Sequence, residues 1–336
     1  MLGWEAGSKH ARLLGRAGES RPNGGSLALR SRRFDDRSDP HLRRRPAPLE
    51  PEARTSKYAV AGLPDAGGES GFIDWDDVVD VVCTGAGAGG LAAALAASIS
   101  GLRVFVADAL PGAVAGGNPD ADTLPGRLGV TDSATAAYLD CLTQDIGPLA
   151  PIAGVDELPV RMVDGLLRPA AGRGVIATFS GSALRDWSAR CLASSHGLLS
   201  TRVGYPGVMA TFGTPGGTIE AAVVGAVNID PVRPAAGLDA WLVAQARDRG
   251  ITVRTSTSLK RLVFEAGEVV GAIIETPAGS RSVRARRGVV VETGCAPLNP
   301  GASVPAAAAP TTAQVALVTR TASRFARLEL LVPPRG

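Results

Sequence analysis

Hydrophobic positions change period along this chain, and the changes mark its elements. Val78–Cys83 is a β-branched run suited to a strand buried on both faces. A glycine-rich stretch follows it, Gly85-Ala86-Gly87-Ala88-Gly89-Gly90. Leu91, Leu95 and Ile99 then recur at helical spacing to about Ser100, with Ala or Gly at most other positions. Gly101 suits the left-handed residue that ends a helix. Leu102–Ala107 reads as a second, parallel strand that stops at Asp108. The resulting strand–helix–strand unit has the expected size of about 30 residues.

Beyond Asp108 the pattern is more broken. Residues 109–131 read as loop, with Pro111-Gly112, Gly116-Gly117-Asn118-Pro119 and Pro125-Gly126. Asp132 or Ser133 can cap a helix to about Asp145, with Ala136, Leu139 and Leu142 on one side. Short strands are predicted at Pro159–Val163 and Gly174–Phe179. A helix is predicted at Ser182–Ser194, where Leu184, Trp187, Cys191 and Leu192 share a face. Another helix runs from about Gly237 to Arg249 on Leu238, Leu242, Val243 and Ala246, and Gly250 ends it. Ile251–Thr255 is a strand, and Leu259–Glu265 with Val269–Thr276 reads as a hairpin through Gly267. Val283–Ala285 and Gly288–Gly294 are read as two separate strands, the second of the buried parallel type. Pro297–Thr312 reads as irregular, and Gln314–Val318 and Ala326–Val332 as the last ordered pieces. Residues 1–72 carry no sustained apolar period and are read as a disordered basic tail. Ser31-Arg32-Arg33-Phe34 is followed by Asp35-Asp36-Arg37 where an export signal would need an apolar region, so that reading is rejected.

Composition narrows the class. The chain of 336 residues is 45% hydrophobic but only 4% aromatic, so Ala and Val must do most of the packing. Residues 1–57 hold 13 Lys and Arg against 7 Asp and Glu, and the remainder holds 22 against 25. The basic balance therefore belongs to the tail, and the folded part has no charge-based case for binding nucleic acid. The four cysteines (Cys83, Cys141, Cys191, Cys295) form no CxxC pair and only three histidines occur, so no metal site is expected. They read as reduced thiols of a cytoplasmic protein. No apolar run approaches the roughly 18–20 residues needed to span a bilayer.

The chemistry lies in the glycine turn. Gly85-x-Gly87-x-x-Gly90 fits the dinucleotide fingerprint. The first glycine makes the tight turn, the second lets a pyrophosphate approach the backbone, and the third lets helix and strand pack closely. The helix N-terminus presents unpaired N–H groups and a partial positive charge of about half a unit. Asp108, 18 residues after Gly90, stands where a carboxylate can accept from the adenosine ribose hydroxyls. An ordinary glycine-rich turn is the plain alternative.

Asp80–Gly90 together with Gly101–Asp108 resembles the FAD-binding start of the fumarate reductase/succinate dehydrogenase flavoprotein superfamily, which includes the 3-ketosteroid dehydrogenases. Leu238–Gly250, Ile251–Gly271 and Ala285–Gly294 resemble its later segments, so the resemblance covers roughly 74–120 and 236–295. It implies an α/β fold, a Rossmann-type FAD-binding βαβ domain with an inserted mixed α+β segment. The FAD-binding domain would take 73–120 and 236–336, and 121–235 would be the inserted substrate or cap region. FAD is the implied cofactor, held by Gly85, Ala86, Gly87, Gly89, Gly90, Asp108, Ala109, Gly116, Gly117, Leu259, Thr293 and Gly294, with the Leu259 backbone on the adenine. The chain departs from the family in three places. Asp108 stands where Glu is usual, and the Gly116-Gly117-Asn118-Pro119 loop is poor in hydroxyls. The late strand ends Glu292-Thr293-Gly294-Cys295 instead of Ala-Thr-Gly-Gly. No second glycine-rich segment follows Cys295 to approach the flavin ring, so a partner chain or oligomer is one way of closing that end.

The catalytic residues are not assigned. His196, the one histidine of the folded part, and Tyr205, a possible donor to a carbonyl, are the candidates, and Cys295 is more simply a small packed residue. Glu220, Asp230 and Arg233 cannot be ranked. The expected function is an FAD-dependent oxidoreductase that transfers hydride between flavin and a small organic, carbonyl-activated substrate. A catalytically degenerate flavin-binding or partner subunit is the alternative, and an NAD(P)-dependent enzyme is a third reading.

Overall fold

A computed structural model of the chain describes residues 73–108, 122–154, 157–166, 181–230, 233–294, 298 and 311–334. The predicted tail, the predicted strand Gly174–Phe179 and nearly all of Pro297–Thr312 lie outside these residues.

In chain order the elements are β1 (Asp77–Thr84), α1 (Ala88–Ile99), β2 (Val104–Ala107), α2 (Leu124–Leu128), α3 (Ser133–Thr143), β3 (Val160–Met162), β4 (Gly165–Leu166), α4 (Gly181–Leu192), β5 (Gly197–Ser200), β6 (Ala210–Thr214), β7 (Gly217–Ile229), α5 (Leu238–Asp248), β8 (Val253–Arg254), β9 (Ser258–Glu265), β10 (Glu268–Thr276), β11 (Gly279–Glu292), β12 (Thr311–Thr319) and β13 (Phe325–Val332). These strands form one mixed sheet with the order β4-β6-β7-β12-β13-β5-β11-β1-β2-β8. The β9–β10 hairpin joins through β10 to β11, and β3 joins β13. The nucleotide-type core is parallel. Val82 of β1 lies between Val289 of β11 and Phe105 of β2, and Val106 of β2 pairs with Val253 of β8. β1–α1–β2 is the predicted βαβ unit.

Alternate residues of the central strands feed two cores, as the two-residue period of a strand requires. Val82, Phe105, Ala107, Val289 and Val291 face a cluster with Leu139 of α3 and Trp187 and Cys191 of α4. Val81, Cys83, Val106 and Val290 face the other side, against α1 and against Leu238, Leu242 and Ala246 of α5. Every residue of α1 from Ala88 to Ala97 is buried. Its alanines and glycines let it lie close to the sheet, while Leu91 and Leu95 are essentially inaccessible. Burial of each leucine stabilises by about 1.5–3 kcal/mol.

Four sequence readings change. The stretch 109–131 is not all loop: Thr123 accepts from Gly126 N–H at 3.2 Å and caps α2, with Pro125 in its first turn. Val283–Ala285 and Gly288–Gly294 belong to one strand, β11. Exposed Arg286 and Arg287 break the hydrophobic alternation there because the pairing with β1 bulges between Ala285 and Gly288. The strand read over Ile251–Thr255 is only two residues long. The stretch from Gly197 to Ile229, given no element above, contributes β5, β6 and β7. β7 is rich in Ala and Gly and signals weakly by itself. Its partner β12 lies far along the chain, and Gly225 leaves room for the Trp241 ring of α5.

The glycine turn tolerates little change. A Cβ on Gly90 would stand 2.0 Å from the Gly85 carbonyl oxygen. Gly90→Ala should therefore destabilise the chain strongly. Gly181→Ala, at the open start of α4 where a Cβ meets nothing within 4 Å, should stabilise by about 0.5–1 kcal/mol. Thermal unfolding followed by circular dichroism compares the two.

Candidate functional site

Strand β1 delivers the chain into a tight turn in which Gly85 takes φ +108°. The turn opens into α1, whose N-cap Gly87 offers no side chain to the first amides, and there is no acidic residue in the first turn. The unpaired amides of a buried helix N-terminus need an acceptor. Glu292, the last residue of β11, supplies it from 205 positions away. Its Oε2 accepts from Gly87 N–H at 2.8 Å. The amides of Gly89 and Gly90 also act on this carboxylate. A Cβ on Gly85 would stand 2.6 Å from Oε2, and a Cβ on Gly89 would stand 3.0 Å from Oε1. The glycines that leave room for a pyrophosphate in the dinucleotide fold here leave room for a carboxylate of the same chain.

Glu292 is buried, and its Oε1 closes no hydrogen bond of ordinary geometry. Burial raises its pKa from the ordinary 4.5 to about 7. The Gly90, Gly87 and Gly89 amides oppose the rise, and the charge of Asp108 adds to it. Asp108 at the end of β2 thus acts on the same space, and its own pKa is raised by partial desolvation. Thr257 fixes the Asp108 backbone: its hydroxyl oxygen accepts from Asp108 N–H at 2.9 Å and donates to Arg254 O at 2.6 Å. Leu259, two residues on, is the second residue of β9 and pairs with Ile274 of β10. Cys83, two residues before Gly85 in β1, is fully buried. Its thiol is pushed up to about 12 by burial and then by the Glu292 charge, so it is no nucleophile.

The back of the site comes from the connection between α4 and β5. β5 pairs with the end of β11, Leu198 opposite Glu292 and Leu199 opposite Val291. Thr293 N–H donates to Gly197 O at 2.9 Å. Gly294 packs on this connection so closely that a Cβ would stand 1.9 Å from the Ser195 carbonyl oxygen. His196 is buried here and meets α1 through its backbone: its carbonyl oxygen would lie 3.1 Å from a Cβ on Gly89.

The structure therefore gathers Gly85, Ala86, Gly87, Gly89, Gly90, Thr293 and Gly294 at one helix end, with Asp108 at the neighbouring strand end and Leu259 leading away from it. Ala109, Gly116, Gly117 and Cys295 lie outside the described residues. The two catalytic candidates, His196 and Tyr205, each pack against α1. Tyr205 lies in the core, and its hydroxyl donates to the Ala93 carbonyl in the middle of α1. Burial holds its pKa well above the ordinary value, so its proton is committed to the helix. Glu220 sits on β7 and accepts from Thr321 Oγ1 at 2.8 Å. Glu292 itself was missed as a site residue. The signal was present, since an acid ending a Val-Val-Val strand read as buried has to be paired or neutral. Among the described residues no cluster of three or more metal-ligating side chains occurs. No helix there is long and apolar enough to cross a membrane.

A parallel sheet with this βαβ turn defines a Rossmann-type dinucleotide-binding fold. Residues 169–327 match the FAD binding domain family. That match accords with the flavoprotein superfamily that the sequence resembles, and it supports FAD as the cofactor. Solved structures with local likeness include a flavocytochrome c3 fumarate reductase, at 19% identity over 63% of this chain and 33% of that one, with a TM-score of 0.27. A 3-ketosteroid-Δ4-(5α)-dehydrogenase from Rhodococcus jostii RHA1 is 19% identical over 66% of this chain and 46% of that one, with a TM-score of 0.28. A 3-ketosteroid Δ1-dehydrogenase from Sterolibacterium denitrificans is 14% identical over 63% and 47%, with a TM-score of 0.25. The chain thus spans between a third and a half of the length of these structures. No curated protein matches it significantly. The turn and sheet suit FAD, but the amide cradle itself, in the conformation described, is filled by Glu292.

Two outcomes follow from the buried groups. Between pH 4.5 and 7 the folded chain keeps a proton on Glu292 that the unfolded chain releases. The group therefore costs no stability below pH 4.5, and the cost grows as pH rises to 7 and stays above it. Glu292→Gln should unfold at a higher temperature than the native chain at pH 8 and by a much smaller margin at pH 5, by scanning calorimetry without cofactor. Tyr205→Phe should lose about 0.5–1.5 kcal/mol in urea unfolding, the usual worth of a buried hydrogen bond.

Proposed function

We propose that this chain is an FAD-dependent oxidoreductase that passes a hydride between flavin and a small organic, carbonyl-activated substrate. The observation that carries the reading is the match of residues 169–327 to the FAD binding domain family. The βαβ unit of β1, α1 and β2 supports it. When bound, FAD would supply a two-electron acceptor or donor. In this reading the turn Gly85–Gly90 faces the pyrophosphate and Asp108 the adenosine ribose, with the Leu259 backbone on the adenine. Thr293 and Gly294 line the same end, and Ala109, Gly116 and Gly117 continue the cradle beyond β2. Residues 121–235 carry the substrate side, in the cytoplasm, and a partner chain or second copy completes the flavin end.

A second reading is a flavin-binding or partner subunit without turnover. It is favoured by Glu292 standing in the cradle and by Tyr205 being tied to α1. The purified full-length chain should carry FAD, or take up added FAD, with the cofactor identified after denaturation. Release of NAD(P), or uptake of no cofactor at all, rules out the first reading. Anaerobic reduction of bound FAD by 3-ketosteroids or dicarboxylates, or reoxidation of reduced FAD by their unsaturated counterparts, separates the enzyme from the inert subunit.

A further inference from the structure

We propose that Glu292 is a built-in competitor for the pyrophosphate, so that the chain binds its dinucleotide only when this carboxylate leaves the amide cradle or takes up a proton. The inference deepens the FAD reading and rests on it. Three observations carry it. The Glu292 carboxylate accepts from Gly87 N–H at 2.8 Å, at the helix end where an anionic ligand of this fold is held. Its second oxygen is buried and closes no hydrogen bond of ordinary geometry, so the side chain is aimed into the cradle without being fully satisfied there. Finally, Gly85 and Gly89 have their open faces covered by this same side chain, with the His196 carbonyl completing the cover over Gly89.

The consequence is one of charge and space. A pyrophosphate brought to Gly87 N–H meets a carboxylate already bonded to that donor. With Glu292 ionised, the two anions compete for one set of amides and repel each other. The titratable neighbours do not relieve this. Asp108 at the end of β2 adds a further negative charge, and Cys83 of β1 is a neutral thiol. The third neighbour, His196 before β5, turns its carbonyl oxygen towards the turn. The described part of the site offers no arginine or lysine on the amides to neutralise both anions. A proton on Glu292 removes the repulsion and converts an acceptor into a donor toward phosphate oxygen. Cofactor uptake is then linked to uptake of a proton, and a neutral side chain at this position releases the restraint.

The test is equilibrium binding by the full-length apoprotein, with FAD and inorganic pyrophosphate as separate probes at pH 6 and pH 8. The native chain is compared with Glu292→Gln, which keeps the volume, and Glu292→Ala, which empties it. With titration near 7, native affinity for FAD should weaken by about tenfold from pH 6 to pH 8. The variants should bind about tenfold more tightly than the native chain at pH 8 and change little between the two pH values. Equal or weaker FAD binding by variants that melt at or above the native temperature overturns the proposal and leaves the FAD reading intact. Tighter pyrophosphate binding by the variants, with no FAD binding by any chain, supports the competitor and removes the FAD reading. Failure of every chain to bind either probe overturns the proposal, because the cradle is then no anion site. The two variants guard each other against misfolding.

Discussion

The bond from Gly87 N–H to the buried carboxylate of Glu292 ties the two ends of the nucleotide fold together. A helix that begins Gly-Ala-Gly-Gly has no side chain of its own to satisfy its first amides. Buried as it is, it cannot leave them to water. The acceptor comes from the end of β11, which the parallel sheet returns beside β1. This arrangement explains why β1, α1 and β11 act as one unit. The chain thereby answers with an internal anion the same electrostatic demand that a bound phosphate would answer. The cost is visible in the raised pKa of Glu292, where desolvation outweighs the help of three amides.

The small residues of α1 are the second constraint. Ala88–Ala97 is buried on all sides, between the sheet and α5, and larger side chains would push these layers apart. Tyr205 uses the same closeness, reaching the Ala93 carbonyl from outside the helix. The connection 194–197 fits for a related reason. β5 is wedged between β11 and β13, so its approach must cross the end of β11, and backbone there lies against the glycines of the turn. The helix end is consequently enclosed by elements distant in sequence, and its chemistry depends on what each of them places there.

Much of this was legible from local pattern. The β-branched run before the turn, the alanine helix and the strand to Asp108 are each within a few residues of where the structure has them. The β9–β10 hairpin and the α4 and α5 helices were equally plain, because their hydrophobic spacing is strong and their ends carry glycine or a cap. β7 was not legible, since Ala-Ala-Val-Val-Gly-Ala-Val has no clear alternation and owes its strand form to pairing with β12 and β6. Tyr205 illustrates the other limit. A tyrosine in a Gly-Tyr-Pro-Gly turn has the chemistry of a proton donor, and only its burial against α1 shows where that proton goes.

The sequence by itself determined the βαβ unit, the glycine spacing, the acid at the end of the second strand and the resemblance to FAD-binding flavoproteins. The first three are properties of residues near one another in the chain, where period and turn chemistry suffice. The tertiary structure alone decided what stands in the cradle. Glu292 is an ordinary strand-end acid until β11 is laid parallel to β1, because hydrogen bonding and desolvation depend on distance in space. That single placement turned a predicted phosphate site into one already holding a carboxylate.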